Sequence, residues 1–392
     1  MKYDSDFFDT IVDRRGTACE KWDCISQREG RELLPMWVAD MDFACPDEVV
    51  KALMSRAAHP VYGYTEQTEA AVDAMLGFMQ RRHGVKLTRD QQALLPCVVT
   101  GLRAAVRTLT KPGDKVIIQP PVYGPFYRSI TENGREIVEN PLIRDEKGRY
   151  SMDFDDLERK CAQGAKLMLL CNPHNPASRP WNREEIARLT DILGRYGVTL
   201  ISDEIHEDFV FDKDAFTPVL NVLTGEDAPV AALTSASKTF NLAGLQQAVL
   251  LTRNQEIKRA MTEDMNQAGV VSGNIFALIA AEAAYAEGDA WLDGMLDYLR
   301  DGRRILVSEL QDRLPKAVLT PLEATYLGWL DLRAYGMSTE ELTRRTHAAG
   351  VAFTEGTFFG KQLGEGFLRI NIACPHSQTR EAMARLEKAI KG

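Results

Sequence analysis

No stretch of this chain stays apolar long enough to span a bilayer, so no membrane segment is expected. The first ten residues, MKYDSDFFDT, lack the apolar run that a secretory signal needs. No block of Lys and Arg stands out. The 47 basic residues are outnumbered by 56 acidic ones, for a formal net charge of −9. Nucleic acid is therefore not an expected partner. Cysteine is present but unpatterned. Cys19, Cys24, Cys45, Cys97, Cys161, Cys171 and Cys374 are odd in number, scattered and without CxxC spacing. Neither a disulfide framework nor a metal site follows from them. Repeats and low-complexity linkers are missing too. These absences together predict a soluble cytoplasmic protein of a reducing compartment.

What is there is an ordinary globular mix, 45% hydrophobic over 392 residues, enough for a large core and more than one domain. Strand-like runs alternate with helix-like ones: DKVIIQP (114–120), AKLMLLCNP (165–173), VTLISDEI (198–205), PVAALTSAS (229–237) and QAVLLT (247–252). They are apolar without clean alternation, as expected of strands covered on both faces. Between them NREEIARLTDILGRYG opens with a capping box, Asn182 and Glu185, and stops at Gly197. The expected fold is α/β, a doubly wound and mainly parallel sheet. Downstream a long amphipathic helix (290–314), strand material in AVLTPLEATYLGWLDLR, a capped helix opening at Ser338 and Glu341, the strand FLRINIAC and a last helix from about 377 suggest a smaller α+β domain. The expected division is 1–48 as an arm and part of the small domain, 49–289 as the large domain and 290–392 as the small one.

In open α/β sheets ligands bind beyond the carboxyl ends of the strands. Tyr123 follows the first run; Asn172 and Asn175 follow the second; Asp203, Glu204 and His206 close the third; Ser235, Ser237 and Lys238 follow the fourth. An aromatic, an amide, a carboxylate and a lysine with serines thus meet at one sheet edge. Pyridoxal phosphate needs that set: an amine for a Schiff base, an anion beside the ring nitrogen, a flat surface for the ring and donors for the phosphate.

CNPHNP, SDEIH and SASKTFNLAGL resemble, in order, the signatures of the class I/II aminotransferase superfamily, the fold-type I pyridoxal-phosphate enzymes. DRRGTACEKWD, LPMWVADMDF, YGYTE, KPGDKVIIQPPVYGPF and FLRINIACP resemble its cystathionine β-lyase and cystalysin branch, over nearly the whole chain. The resemblance implies a role for each residue. Lys238 would carry the cofactor as a Schiff base, and Asp203 would pair with the ring nitrogen. Asn175 would bond the ring hydroxyl, and His206 stands where many relatives place a tyrosine for that hydroxyl. Tyr123 would stack on the ring. Ser235, Ser237 and the backbone N–H groups of Val98 and Val99 would hold the phosphate. Tyr64 would reach the phosphate of a second subunit, implying a homodimer with shared sites. Arg369 would clamp the substrate carboxylate bidentately.

Three departures bear on activity. Gln246 stands where aminotransferases usually keep a phosphate-bonded arginine, which favours the lyase branch. Cys97 replaces a glycine of the phosphate loop. Gly124 stands where some relatives have a second tyrosine, leaving the proton donor to the substrate open. The expected reaction is β-elimination from cystathionine, cysteine or a related sulfur amino acid, giving a thiol, pyruvate and ammonia, with Lys238, Tyr123 and Asp203 as the catalytic set. An aminotransferase on the same scaffold is the alternative. A third reading is a regulator that holds the cofactor without turnover. Substrate choice is expected to lie with Trp37–Asp42 and with EGTFF (355–359).

Overall fold

The structure is a computed structural model that describes residues 2–212, 215–270 and 272–392. Seven strands form its main sheet: β1 (Gln92–Leu95), β2 (Lys115–Ile118), β3 (Glu136–Glu139), β4 (Leu167–Cys171), β5 (Thr199–Asp203), β6 (Val230–Thr234) and β7 (Ala248–Leu251). Their spatial order is β1-β7-β6-β5-β4-β2-β3. Pairings among β2 to β6 are parallel, and β7 runs antiparallel to both neighbours.

Every residue of β4 and β6 is buried, and the two faces feed different cores. Met168, Leu170, Leu200 and Ala232 face one cluster; Leu167, Leu169, Ile201 and Leu233 face the other. With side chains pointing alternately to two dry layers, a strand has no reason to alternate in polarity. The observed strands are shorter than their apolar runs, with flanking residues such as Asp114, Pro120, Pro173 and Pro229 left to the loops. Two strands carried no such signal. β1 is a short half-buried run, and β3 is an edge strand with only Val138 buried.

The helix Arg183–Tyr196 has its expected capping box. The Glu185 N–H donates to Asn182 Oδ1 at 2.9 Å, and the Asn182 N–H donates to Glu185 Oε2 at 3.1 Å. Gly197 ends it at φ +64°, where a side chain would be strained. The box expected at Ser338 is half formed. Ser338 accepts from the Glu341 N–H, while the Glu341 carboxylate goes to Arg344 and Arg345 instead. Charge-assisted bonds to two guanidiniums outcompete one backbone donor.

A second, antiparallel sheet has the order β8-β9-β11-β10, with β8 Val318–Leu319, β9 Leu327–Asp331, β10 Thr354–Glu355 and β11 Phe367–Asn371. The amino-terminal segment joins this part of the chain: Leu34–Pro35 pairs in parallel with Val351–Ala352. From there residues 37–42 cross to the carboxyl ends of the main-sheet strands without helix or strand of their own.

Candidate active site

Strand direction places Asp203 at the end of β5 and Lys238 in the short helix Ala236–Thr239 after β6. Asp203 is buried. Among the described residues its carboxylate takes one hydrogen bond, from the Ile205 N–H at 3.2 Å. Burial pushes its pKa up to about 7, against the pull of that N–H and of Lys238. Lys238 is half-buried, and its amine donates to one protein atom, the Ala39 carbonyl, at 2.6 Å. Burial lowers its pKa. Among the described residues neither group has an ion-pair partner within 4 Å.

Arg369 enters from β11 and is buried. It donates to the Trp37 carbonyl at 2.7 Å, Thr354 Oγ1 at 3.2 Å and Asn175 Oδ1 at 3.2 Å, and lies over the Phe359 ring at 5.0 Å. All its acceptors are neutral and its Nε has none. Burial lowers its pKa to about 10. A buried cation without a counter-ion is costly, and a bound anion would relieve it.

Asn175 is buried and keeps its amide nitrogen unspent, since only its oxygen is taken, by Arg369. Asn172, by contrast, is structural: it donates to Thr217 O and accepts from the Trp181 N–H. His206 is buried edge-on to Tyr326, and its Nδ1 lacks a partner. Burial and then the Lys238 and Arg369 cations push its pKa down to about 3, so it is neutral. Glu204 is also structural, accepting from Ser202 Oγ and the Val219 N–H.

The helix Val98–Leu109 opens at this edge. Cys97 caps it through Sγ, accepting from the Thr100 N–H at 3.4 Å, and leaves the Val98 and Val99 amides unbonded. That is a ready anion site. Among the described residues the Ser237 side chain has no hydrogen-bond partner. Ser235 is spent on the local turn, donating to Gln247 O and accepting from the Ser237 N–H. Tyr123 is half-buried with its pKa raised by burial, and Phe358 meets it edge-on at 5.9 Å. Phe358 also explains Gly124: a Cβ there would sit 2.9 Å from the Phe358 ring. Tyr64 lies apart from this group, fully exposed. Gln246 is exposed with φ +56°.

Three contacts of the site are not written in the motifs. Tyr326 donates to the Ala39 carbonyl at 3.0 Å, and the Trp37 and Ala39 carbonyls hold Arg369 and Lys238. Main-chain acceptors leave no mark on residue type, so motif spacing could not find them.

Lone amine, uncompensated carboxylate, orphaned imidazole and free helix amides are the groups pyridoxal phosphate satisfies, so the residues fit it. Fold and site define a pyridoxal-phosphate-dependent enzyme of fold type I. Comparison with known proteins narrows this: residues 32–386 match the family Aminotransferase class I and II, and the chain belongs to it. It is 39% identical over 387 residues to cystathionine beta-lyase PatB of Bacillus subtilis, covering 98% of this chain and 99% of that one. It is 32% identical to Protein MalY of Escherichia coli, over 98% of each chain. The crystal structure of cystalysin from Treponema denticola, which contains pyridoxal 5′-phosphate, superposes with a TM-score of 0.94 at 32% identity, over 100% of this chain and 99% of that one.

Proposed function

We propose that this protein is a carbon–sulfur β-lyase that cleaves cystathionine, cysteine or a related sulfur amino acid to a thiol, pyruvate and ammonia. The observation that carries the reading is the set Lys238, Asp203 and Arg369, each uncompensated, in a chain full-length similar to a cystathionine beta-lyase. Lys238 and Asp203 would hold the cofactor ring with Asn175, His206 and Tyr123. Val98, Val99 and Ser237 would hold its phosphate, joined by Ser235 if its turn bond yields. The bound cofactor supplies an electron sink for the substrate α-carbon.

The protein's own groups do the rest. Arg369 fixes the substrate carboxylate and so turns the Cα–H bond toward Lys238. The Lys238 amine, its pKa lowered by burial, takes the α-proton as general base. The C–S bond then breaks, and the thiolate is protonated by Lys238 or by Tyr123, whose raised pKa keeps its phenol protonated. The three-carbon enamine hydrolyses in water to pyruvate and ammonia. Phe358, exposed and edge-on to Tyr123, offers an apolar surface to the sulfur side of the substrate.

In this reading residues 49–289 carry the cofactor, and 1–48 with 290–392 bring the carboxylate clamp. We also read the protein as a cytoplasmic homodimer with shared sites. The support is a segment without helix or strand in which Val61, Tyr62 and Tyr64 are exposed, and seven free cysteines. Among the described residues no helix is long and apolar enough to cross a membrane.

The test is incubation of the pyridoxal-phosphate-loaded protein with cystathionine and no 2-oxo acid. Continuous pyruvate release supports the lyase. A single stoichiometric turnover to the aminated cofactor would assign an aminotransferase, and no turnover would leave a cofactor-holding regulator.

A further inference from the structure

The segment 37–42 has no sheet or helix to hold it, yet each carbonyl from Trp37 to Met41 accepts a side-chain donor. Trp37 O takes Arg369 Nη2 at 2.7 Å and Thr354 Oγ1 at 2.7 Å. Val38 O and Asp40 O both take Asn371 Nδ2 at 2.6 Å. Ala39 O takes Lys238 Nζ at 2.6 Å and Tyr326 OH at 3.0 Å. Met41 O takes Asn241 Nδ2 at 2.9 Å and Arg14 Nη1 at 3.1 Å. The two cations proposed for catalysis therefore rest on a strap of irregular backbone, and what fixes that strap fixes them.

The strap ends on a buried ion cluster. Asp42 is 3% exposed and accepts from Lys21 Nζ at 2.7 Å, Arg14 Nη1 at 2.8 Å and Trp22 Nε1 at 3.0 Å. Lys21, 1% exposed, reaches on to the Asp40 carbonyl at 3.1 Å. Arg14 forks onto the Asp40 carboxylate at 2.7 and 3.2 Å. Two cations and two anions cancel, so the cluster is closed and has no call on a ligand. Its bonds to the Asp40 and Met41 carbonyls flank Ala39 on its carboxyl side.

We propose that Asp42, through Lys21 and Arg14, is a positioning residue that holds the Ala39 carbonyl against the Lys238 amine. Once that amine is free of the cofactor, the Ala39 carbonyl is its resting acceptor and sets where it points. Only the kinetic consequence rests on the lyase reading; the placement of the amine does not.

The test compares wild type with Asp42→Asn, which keeps the shape and removes the charge, and with the milder Trp22→Phe. In the apoprotein, the rate of Lys238 acetylation by limiting acetic anhydride at pH 8 is read by peptide mass spectrometry. Losing its acceptor favours the neutral amine, so Asp42→Asn should raise that rate by about threefold or more. Amide exchange in peptide 37–43 should speed up by roughly tenfold. In the loaded enzyme kcat on cystathionine should fall by about tenfold or more, with KM changing less, because the base is misplaced. Trp22→Phe should move all three the same way by less, and decides alone if Asp42→Asn does not fold. Faster exchange with Lys238 labelling within about twofold of wild type would reduce the cluster to scaffold and overturn the proposal. If the wild type makes no pyruvate, the lyase reading fails while the labelling still decides this one.

Discussion

Two buried aspartates behave in opposite ways. Burial pushes both carboxyls up. At Asp42 the Lys21 ammonium, with Trp22 and Arg14, reverses the shift and holds the group below the ordinary carboxylate value. At Asp203 one N–H and a distant amine do not, and the pKa stays at about 7. The strap is electrostatically finished and the strand-end site is not. Folding alone would not leave Asp203, Lys238 and Arg369 uncompensated, since each pays desolvation without a partner. In the proposed reading they would be completed by what binds: a ring cation for Asp203, an aldehyde for Lys238, a carboxylate for Arg369.

The comparison can be broken first at its most reactive member. Lys238→Ala should cut pyruvate release from cystathionine by about 10³-fold or more while the apoprotein melts within a few degrees of wild type. A variant retaining a tenth of the activity would remove Lys238 from the chemistry. Stability of the apoprotein should next separate the two aspartates. Asp42→Asn breaks a buried ion cluster and should cost about 3 kcal/mol in denaturant unfolding. Asp203→Asn should cost nothing and gain stability above pH 7. The sign follows from linkage. A folded-state pKa raised from 3.8 to about 7 means the folded protein holds that proton more tightly, so ionisation between those values destabilises the fold. Equal losses in both variants would erase the distinction.

A smaller effect is expected at Arg369→Lys, which keeps the charge and loses the fork. KM should rise by about tenfold and kcat should change less. The gentlest test lies under the site. His83 Nε2 meets Asp208 Oδ1 at 2.8 Å, while Thr239 and Thr234, on either side of Lys238, bond Asp208 and Glu207. Burial lowers the His83 pKa, but Glu207 and Asp208 outweigh it and raise it to about 9. Its contribution is complete below the unfolded value near 6.5 and is lost as pH rises through 9. The melting temperature of wild type should therefore fall between pH 7 and 9.5 more steeply than that of His83→Gln. Parallel curves would show that His83 is neutral throughout.

The candidate site was legible where each residue adjoins the end of an apolar strand. Asp203, Asn175 and Lys238 each sit at or just beyond a strand end, so strand order alone gathered them, and the parallel sheet was readable from apolar runs without alternation. The strap was not legible, although the segment carrying it was. Ala39 matters through its carbonyl, and its donors Lys238 and Tyr326 lie 199 and 287 residues away. The same distance hid His83, 125 residues from Asp208. Strands β1 and β3 escaped because they are the two edges of the sheet and each buries one of its four residues. The resemblance makes Ser235 a phosphate ligand, and in the structure its hydroxyl donates to the Gln247 carbonyl.

The most direct measurement of the central claim is borohydride reduction of the pyridoxal-phosphate-loaded protein followed by peptide mapping. The account predicts one pyridoxyl group per chain, on Lys238, with loss of the absorption band of the unreduced protein. A label on another lysine, or none at all, would contradict it.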